Sequence, residues 1–352
     1  MPAGHSFAHL VGSVPLADSE TVFRTVAGAL GPHLRRIPDG ETGERIRWIW
    51  FQREMLLDHP DMEIDEEAGL FAVYQWDGVL LRESPYVRFK PSVDPENVHF
   101  PTGYAEAATG SYSTFSRLRE EGVIGADVLF QVSLPTPMAT GYMYVSNAAR
   151  DVYLPAYERS LAEALDGILA AVPHEHLSIQ WDVCQEVLLF EDYFSHRPGD
   201  YKEQVFEELG RLGGRVPESV DLGYHLCYGS PADEHLVMPK DMGILVEISN
   251  GLASRLGRRL DFLHLPAPKD RTDRDYFLPL EGLKLPENTT VVMGLIHHNN
   301  TEGDVARITA AREFLANFGI ASECGWGRTD PGRVPGLLES HRLAVEHLNR
   351  PG

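Results

Sequence analysis

The chain has 352 residues, 43% of them hydrophobic and 24% charged, which is the composition of a globular protein with a sizeable core. A formal net charge of −21 repels phosphate backbones and anionic lipid headgroups, so we expect no nucleic-acid partner and no membrane partner. Residues 1–16 lack the basic start and continuous apolar core of a signal peptide, which predicts a cytoplasmic protein. The odd, low count of three cysteines argues against a disulfide framework and favours thiols that are metal ligands or catalytic groups.

Short β-type runs recur along the chain, and several are nearly continuous apolar segments typical of parallel strands buried on both faces. The predicted strands are 6–14, 33–38, 127–134, 176–183, 220–228, 244–249, 261–265, 290–297 and 319–324. Apolar residues at helical spacing predict helices at 153–171, 201–212, 303–317 and 334–348. Alternating strands and helices without a second core indicate one α/β domain over 1–352, and eight such units would form a (β/α)8 barrel.

Two segments do not fit eight simple units. Nine strands are one too many for the barrel, and run 261–265 ends in a proline-rich stretch, so we interpret it as part of an insertion. Segment 39–126 follows the second strand and is too long for one crossover. It contains a helical pattern near 45–57 and alternating runs near 70–75 and 86–90, which predicts an inserted cap over one end of the barrel.

Four metal-ligating side chains stand at predicted strand ends. His225 and Cys227 are two positions apart on one strand, so their side chains point to the same face. Glu247 lies in the next strand and Cys324 closes the last one. Because the carboxyl ends of barrel strands converge, the four form a credible zinc site. Each part has an ordinary alternative: an isolated H-x-C pair arises by chance, and a strand cysteine is often a core residue.

These residues and their order resemble the catalytic C-terminal domain of cobalamin-independent methionine synthase and its single-barrel relatives, which include the epoxyalkane:coenzyme M transferases. The family's motif runs H-x-C, then Glu about twenty residues later, then Cys-Gly near the end. Further matches are Gly12-Ser13-Val14-Pro15, Gln180-Trp181-Asp182 and Gly294-Leu295-Ile296-His297-His298. The chain departs from the family after Asp182, where Val183-Cys184 replaces Glu-Pro, and this puts the substrate in doubt.

The resemblance implies a zinc-dependent enzyme that activates a thiol and transfers a methyl or alkyl group to it. It assigns His225, Cys227 and Cys324 to the Zn²⁺, with Glu247 as the ligand that yields to the thiol. It also implies that Asp182 binds the amino group of an amino-acid thiol, or alternatively serves in a structural salt bridge. Gly12 and Ser13 would line the floor of the thiol pocket.

Other candidate residues follow from position and charge. His297 and His298 end a predicted strand and are candidate proton donors to the leaving group, or else solvated loop histidines. Arg36 and Arg45 could bind a substrate carboxylate or sulfonate, because the guanidinium fork matches such anions, or they could belong to a solvated loop. Trp48 or Trp50 could stack on a flat substrate or simply pack. We interpret Cys184 as a core thiol.

Three functions remain open at this point. The first is methyl or alkyl transfer to a thiol from a methylated folate or a simpler methyl donor. The second is the opening of an epoxide by a thiol. The third, of another class, is a zinc-binding module without turnover. A uroporphyrinogen-decarboxylase-like activity shares the fold but needs no zinc, and the ligand set argues against it.

Overall fold

The computed structural model describes residues 5–350. Its strands are β1 (Arg36–Pro38), β2 (Met62–Ile64), β3 (Leu70–Tyr74), β4 (Leu80–Pro85), β5 (Val87–Phe89), β6 (Leu129–Pro135), β7 (Leu177–Val183), β8 (Asp221–Leu226), β9 (Phe262–Pro266), β10 (Thr290–Ile296) and β11 (Gly319–Ser322). Its α-helices are α1 (Ser19–Leu30), α2 (Trp50–Asp58), α3 (Tyr104–Glu120), α4 (Pro137–Tyr144), α5 (Asn147–Ala171), α6 (Gln185–Phe190), α7 (Tyr201–Gly214), α8 (Gly243–Arg255), α9 (Arg274–Phe277), α10 (Thr301–Arg312) and α11 (Val334–Leu348).

A curled, seven-stranded parallel sheet organises the molecule. Its strands run in the order β1-β6-β7-β8-β9-β10-β11, and every neighbouring pair is parallel. All seven residues of β7 are buried, as expected when helices cover the outer face of a parallel sheet and side chains fill its inner face. The prediction of a parallel α/β fold is therefore confirmed.

The N-terminal segment 6–14 lies between the two edges of this sheet. Ala8 forms isolated parallel bridges to Leu34, just before β1, and to Ile320 in β11. Ser13 forms a third bridge, to Gly40. The segment thus hydrogen-bonds to β11 and to residues on either side of β1 without becoming a regular strand, and the complete (β/α)8 barrel stays a prediction.

The surplus predicted strand is 244–249, and not 261–265. Residues 244–249 lie within helix α8, so the prediction of a strand there is wrong. The run 261–265 forms β9, which pairs with β8 and β10 in the middle of the sheet, so its interpretation as an insertion is also wrong. The reason is physical: a short apolar run carries no period that distinguishes a buried strand from one face of a helix.

Segment 39–126 contains α2, two small antiparallel sheets and α3. One small sheet pairs β2 with β5 and the other pairs β3 with β4. Helix α3 packs against α1 and α5, and so belongs to the helical layer around the main sheet. The role of the remainder as a cap stays a prediction. Within residues 5–350, no helix combines the length and apolar character that crossing a membrane requires.

The parallel sheet sets the position of the functional residues. Because all seven strands run the same way, their carboxyl ends meet at one edge of the sheet. Cys227 follows the end of β8, His297 follows β10, and Cys324 lies two residues beyond β11. Asp182 is the next-to-last residue of β7. Residues far apart in the chain are thereby brought together.

Candidate metal centre and substrate cavities

Three of the four predicted metal ligands converge at the carboxyl edge of the sheet. One donor atom each from His225, Cys227 and Cys324 lies within 4.8 Å of the other two. The Sγ atoms of the two cysteines are 3.6 Å apart, and the backbone N–H of Gly229 donates to Cys227 Sγ at 3.3 Å. Two sulfurs and one imidazole nitrogen at this spacing fit the donor set of a zinc ion. A three-residue set also leaves a coordination position for a substrate, as catalytic zinc sites do.

A histidine relay orients the imidazole of His225. The Nδ1 atoms of His225 and His264 are 2.7 Å apart, and His264 Nε2 lies 3.0 Å from the carbonyl oxygen of Ser322. Since a carbonyl oxygen only accepts, His264 must donate from Nε2, which leaves its Nδ1 as the acceptor. His225 then donates from Nδ1, and its Nε2 keeps a free lone pair for a metal.

Burial keeps both histidines of this relay neutral. It lowers the pKa of His225 to about 4 and the pKa of His264 to about 3. A neutral imidazole is the form that binds metals. The relay therefore presents His225 in the correct charge state and tautomer before any ion arrives.

The two thiols of the cluster hold their protons strongly when no cation is near. Hydrogen bonding with Cys227 and burial raise the pKa of Cys324 to about 12. Contact with Cys184 is the main cause that raises the pKa of Cys227. Arg328 opposes this at Cys324, because its Nη2 donates to the Sγ at 3.2 Å while its Nε donates to Ser230 O at 2.7 Å. Cys184 is buried in the hydrophobic core, as expected of a core thiol, and sequence reasoning missed Arg328.

The predicted fourth ligand, Glu247, lies elsewhere, and its placement at a strand end is wrong. It stands on helix α8 with 43% of its side chain exposed, and its Oε1 forms an ion pair with Lys202 Nζ at 2.6 Å. The helix turns this carboxylate outward, away from the sheet edge that carries the cysteines.

A cavity of about 520 Å³ opens beside the cluster, and we call it the first cavity. His225, Cys227 and Cys324 line it together with the predicted substrate residues Gly12, Ser13 and Asp182. Its other lining residues include Glu41, Arg47, Trp48, Ile49, Trp50, Val73, Arg82, Cys184, Gly325 and Arg328. The structure thus brings the predicted floor residues and the candidate metal ligands to one space.

Two buried carboxyl groups form part of the wall of the first cavity. Gln180 Nε2 donates to Asp182 Oδ1 at 2.8 Å. A Cβ added at Gly12 would lie 3.2 Å from Glu41 Oε2, so the glycine makes room for this carboxyl group. Burial raises the pKa of Glu41 to about 8, and burial together with Glu41 raises that of Asp182. Sequence reasoning missed Glu41, although it lies within the charged segment after β1.

The two arginines predicted to bind a substrate anion pair with carboxylates of the protein, and their binding of a substrate anion stays a prediction. Arg36 is buried, forms an ion pair with Asp221 at 3.0 Å and lies over the ring of Phe262. Asp221 begins β8, so this pair lies at the amino end of the sheet, opposite the cluster. Arg45 forms an ion pair with Asp39 at 2.6 Å. Neither arginine lines the first cavity.

Aromatic and basic side chains from segment 39–126 form the outer part of the first cavity, which we call the rim: Arg47, Trp48, Trp50 and Arg82. Trp48 has a φ of +53°, a conformation that costs energy for any residue with a Cβ. Its indole nitrogen is buried and lies close to the carboxyl group of Asp182. The Arg82 guanidinium lies 4.2 Å from the centre of the Trp50 ring. The tryptophans noted in the sequence thus line the cavity.

The predicted proton donors line a second cavity of about 550 Å³. His297 and His298 lie there with His235 and Glu323, and Cys324 lines both cavities. His297 is buried, its Nε2 is 3.0 Å from Ala267 O, and its Nδ1 is 3.8 Å from Glu323 Oε2. Burial lowers the pKa of His297 to about 4. His298 is only half-buried.

Glu323 connects His297 with a second histidine. His235 Nε2 lies 2.8 Å from Glu323 Oε2. Burial opposes a charge on His235, but Glu323 outweighs it and raises the histidine's pKa. Burial opposes ionisation of Glu323, but its interactions with His235 and His297 outweigh burial and lower its pKa to about 2. Sequence reasoning missed both residues of this pair.

No protein-family model matches the chain, and no curated protein matches it by sequence. Solved structures do match over nearly the whole chain. A putative vitamin-B12 independent methionine synthase from Listeria monocytogenes has 14% identity and a TM-score of 0.57, covering 99% of both chains. A B12-independent methionine synthase from Shewanella sp. W3-18-1, in complex with selenomethionine, has 16% identity and a TM-score of 0.55, covering 98% of this chain and 97% of its own.

A methyltransferase from Methanosarcina mazei has 13% identity and a TM-score of 0.54, covering 99% of this chain and 96% of its own. At such identities the likeness concerns the fold. The chain shares the fold of B12-independent methionine synthase-like and methyltransferase proteins, as the resemblance in its motifs led us to expect.

Proposed function

We propose that this chain is a zinc-dependent transferase that moves a methyl or alkyl group to a thiol. The observation that carries the proposal is the convergence of His225, Cys227 and Cys324 beside a cavity large enough for a small substrate. The methyl transfer named for its structural neighbours supports the reaction type. In this proposal segment 6–14 takes the eighth position of a (β/α)8 barrel.

The cluster would hold the ion and leave a position for the substrate sulfur. A zinc ion there would supply the charge that keeps a substrate thiol deprotonated at neutral pH. His225 is already neutral and oriented by His264, and Arg328 fixes Cys324. These contacts preorganise the donors, which reduces the rearrangement needed on binding.

The carboxyl groups of the first cavity would select the thiol. Asp182 and Glu41 line it on the same side as Gly12, so a protonated amino group placed there gains two acidic partners. Such a cation would lower the raised pKa values of both carboxyls by supplying the missing opposite charge. This favours an amino-thiol such as homocysteine over an uncharged thiol.

The histidines of the second cavity would supply the proton that the departing group needs. His297 lies beside Glu323, and Glu323 also contacts His235, so a proton has a short path among three side chains. Cys324, which lines both cavities, lies next to Glu323 in the chain. The leaving group would therefore depart toward the second cavity while the thiol occupies the first.

Elemental analysis tests the metal directly. We expect about one zinc per chain in the wild-type protein and a large loss in Cys324→Ser. Two controls come from the chain itself: Cys184→Ser changes a cysteine of the same cavity that lies outside the cluster, and Glu247→Gln changes the exposed glutamate. Both controls should keep their zinc. Wild-type protein that takes up no zinc even after refolding with the metal would contradict the proposal.

Loss of free thiol tests the reaction. Zinc-loaded protein is incubated with homocysteine and, in separate reactions, a methylated folate, a simple methoxy or methylthio compound, or an epoxide. A product methylated on sulfur supports the proposal, and a hydroxyalkyl thioether from the epoxide points to the epoxide-opening alternative. Zinc binding without thiol loss for any donor would favour a binding module without turnover.

A further inference from the structure

The rim of the first cavity carries cations without an anionic partner. Within residues 5–350, the guanidinium groups of Arg47 and Arg82 form no hydrogen bond and no ion pair with the protein, although both residues line the cavity. Arg53, close to Arg82, differs in this respect, since it pairs with Glu54 and donates to Ser84.

The position of Arg82 makes its charge costly in the absence of a ligand. The side chain is half-buried and stacks on Trp50. Burial is the main cause that lowers its pKa, and the nearby cations Arg53 and Arg47 lower it further. An anion bound between Arg47 and Arg82 would raise the pKa of Arg82, because its negative charge would offset both the burial and the repulsion from neighbouring cations. Two guanidinium groups suit carboxylates and other oxyanions, which they bind through paired N–H donors.

The two ends of the cavity differ in exposure, and the cation at the deep end, Arg328, is already engaged by Cys324 Sγ and by the carbonyl oxygens of Ser230 and Gly325. His225, Cys227, Asp182 and Glu41 are buried, whereas Arg47 is exposed and Arg82 half-buried. The sulfur ligands and the carboxyl groups therefore lie deep, and Arg47 and Arg82 lie toward solvent. A thiol that reaches the metal ligands occupies the deep end. A second substrate that enters after it meets these two arginines.

We propose that Arg47 and Arg82 bind an anionic group of the carbon donor, which is thus a small oxyanion-bearing compound with its reactive carbon toward Cys227 and Cys324. This rests on the proposed function, because it assigns the two ends of one cavity to two substrates. Trp48 and Trp50 provide flat walls along the body of the donor. The strained backbone of Trp48 fits this role, since strain of this kind concentrates at ligand sites.

Calorimetric binding of benzoate and benzamide tests the anion site without turnover. The two probes have similar shapes and differ in charge. We expect benzoate to bind at least about tenfold more tightly than benzamide, and Arg82→Gln and Arg47→Gln each to weaken benzoate by about tenfold or more. Arg215→Gln is the matched control, because Arg215 is exposed and lies outside both cavities. Equal affinity for the two probes, or unchanged benzoate binding in Arg82→Gln, would overturn the proposal.

Two further arms separate this proposal from the proposed function and identify the source of the anion. Benzoate binding should persist in Cys324→Ser, where zinc is lost, because the two arginines do not contact the metal ligands. A loss of benzoate binding in either protein would therefore contradict the anion site and leave the zinc site untouched. In zinc-loaded protein, homocysteine and benzoate should bind together, since the thiol occupies the deep end. If homocysteine displaces benzoate while 3-aminopropane-1-thiol does not, the arginines serve the thiol's own carboxylate and the assignment to the carbon donor is wrong.

Discussion

At the residue scale, the candidate metal centre depends on neighbours that hold each donor in a usable state. His264 fixes the tautomer of His225, and Arg328 donates to the sulfur of Cys324. Neither neighbour is close in sequence to the H-x-C pair. Outer contacts of this kind determine how well a site is organised before the metal binds.

Replacing Arg328 should weaken metal binding more than it weakens the fold. Arg328→Met removes the N–H donor and the positive charge beside Cys324, so the thiol holds its proton more strongly. We expect the zinc affinity to fall on the order of 10-fold to 100-fold, with a smaller loss in Arg328→Lys, which keeps the charge. Chelator competition measures this. Arg333→Met, on an exposed arginine nearby, is the control, and an equal loss there would show that the effect is not specific.

Zinc binding should release about two protons at neutral pH. The pKa of Cys324 is raised to about 12 and that of Cys227 is also raised, so both thiols are protonated in the metal-free protein. His225 has a pKa of about 4 and contributes no proton. Because protons compete with the metal only at the thiols, affinity should rise with pH across the neutral range. Calorimetry in buffers of different ionisation enthalpy counts the protons. A release near zero would mean that the thiols are already ionised without metal.

At the scale of elements, the sequence predicted the strands on which the cluster depends and misassigned two others. Segments 220–228 and 319–324 contain β8 and β11, which end near His225, Cys227 and Cys324. The apolar run 244–249 has the same composition as a buried strand but forms part of α8, because its polar neighbours in the helix lie outside the short window. The error at Glu247 follows directly from the error at this helix.

Other parts of the site depend on contacts that no local pattern contains. The charged segment after β1 was correctly singled out, but which of its side chains reach the cavity is decided by distant partners. Asp221 and Asp39 engage Arg36 and Arg45, whereas Glu41 is left facing the cavity. Ion pairing between remote elements is a property of the folded chain, and one sequence does not specify it.

The placement of β9 beside β8 gives a test at this scale. His264 lies on β9 directly opposite His225 in the register of the two strands. His264→Phe removes the acceptor for His225 Nδ1, so the imidazole loses its fixed tautomer. We expect zinc affinity to fall by about 10-fold to 100-fold in this variant, as for other lost outer-sphere partners. His264→Gln offers a replacement acceptor and should recover part of the affinity, and equal losses in both would point to packing alone.

At the scale of the whole molecule, acidic residues contribute to solubility at the surface and to the pH dependence of stability where they are buried. The net charge of −21 is carried mainly by exposed carboxylates, but several carboxyl groups are buried. Glu41 and Asp182 lie at the first cavity, whereas Glu186 on α6 and Glu208 on α7 lie away from both cavities. Burial raises the pKa of all four. In the proposed function Glu41 and Asp182 bind the amino group of the thiol, whereas Glu186 and Glu208 line neither cavity.

The buried pair of Glu186 and Glu208 makes the stability of the whole chain depend on pH. Glu186 is fully buried, and burial raises its pKa from 4.5 to about 7 although hydrogen bonds with Thr136 and Glu208 oppose this shift. A raised folded-state pKa means that the folded protein binds the proton more tightly than the unfolded chain does. The resulting stability is complete below pH 4.5 and is lost as the pH rises through about 7.

Glu186→Gln should therefore stabilise the protein at pH 8 and have little effect at pH 4.5. The amide keeps the shape of the side chain and carries no charge at either pH, so the cost of a buried carboxylate disappears. We expect a gain of roughly 1–3 kcal/mol at pH 8, measured as a higher midpoint of urea unfolding. Glu207→Gln changes an exposed neighbour on α7 and should leave the pH dependence of the wild type intact. If Glu186→Gln is less stable than wild type at pH 8, the hydrogen bonds to the carboxylate outweigh the cost of burying its charge.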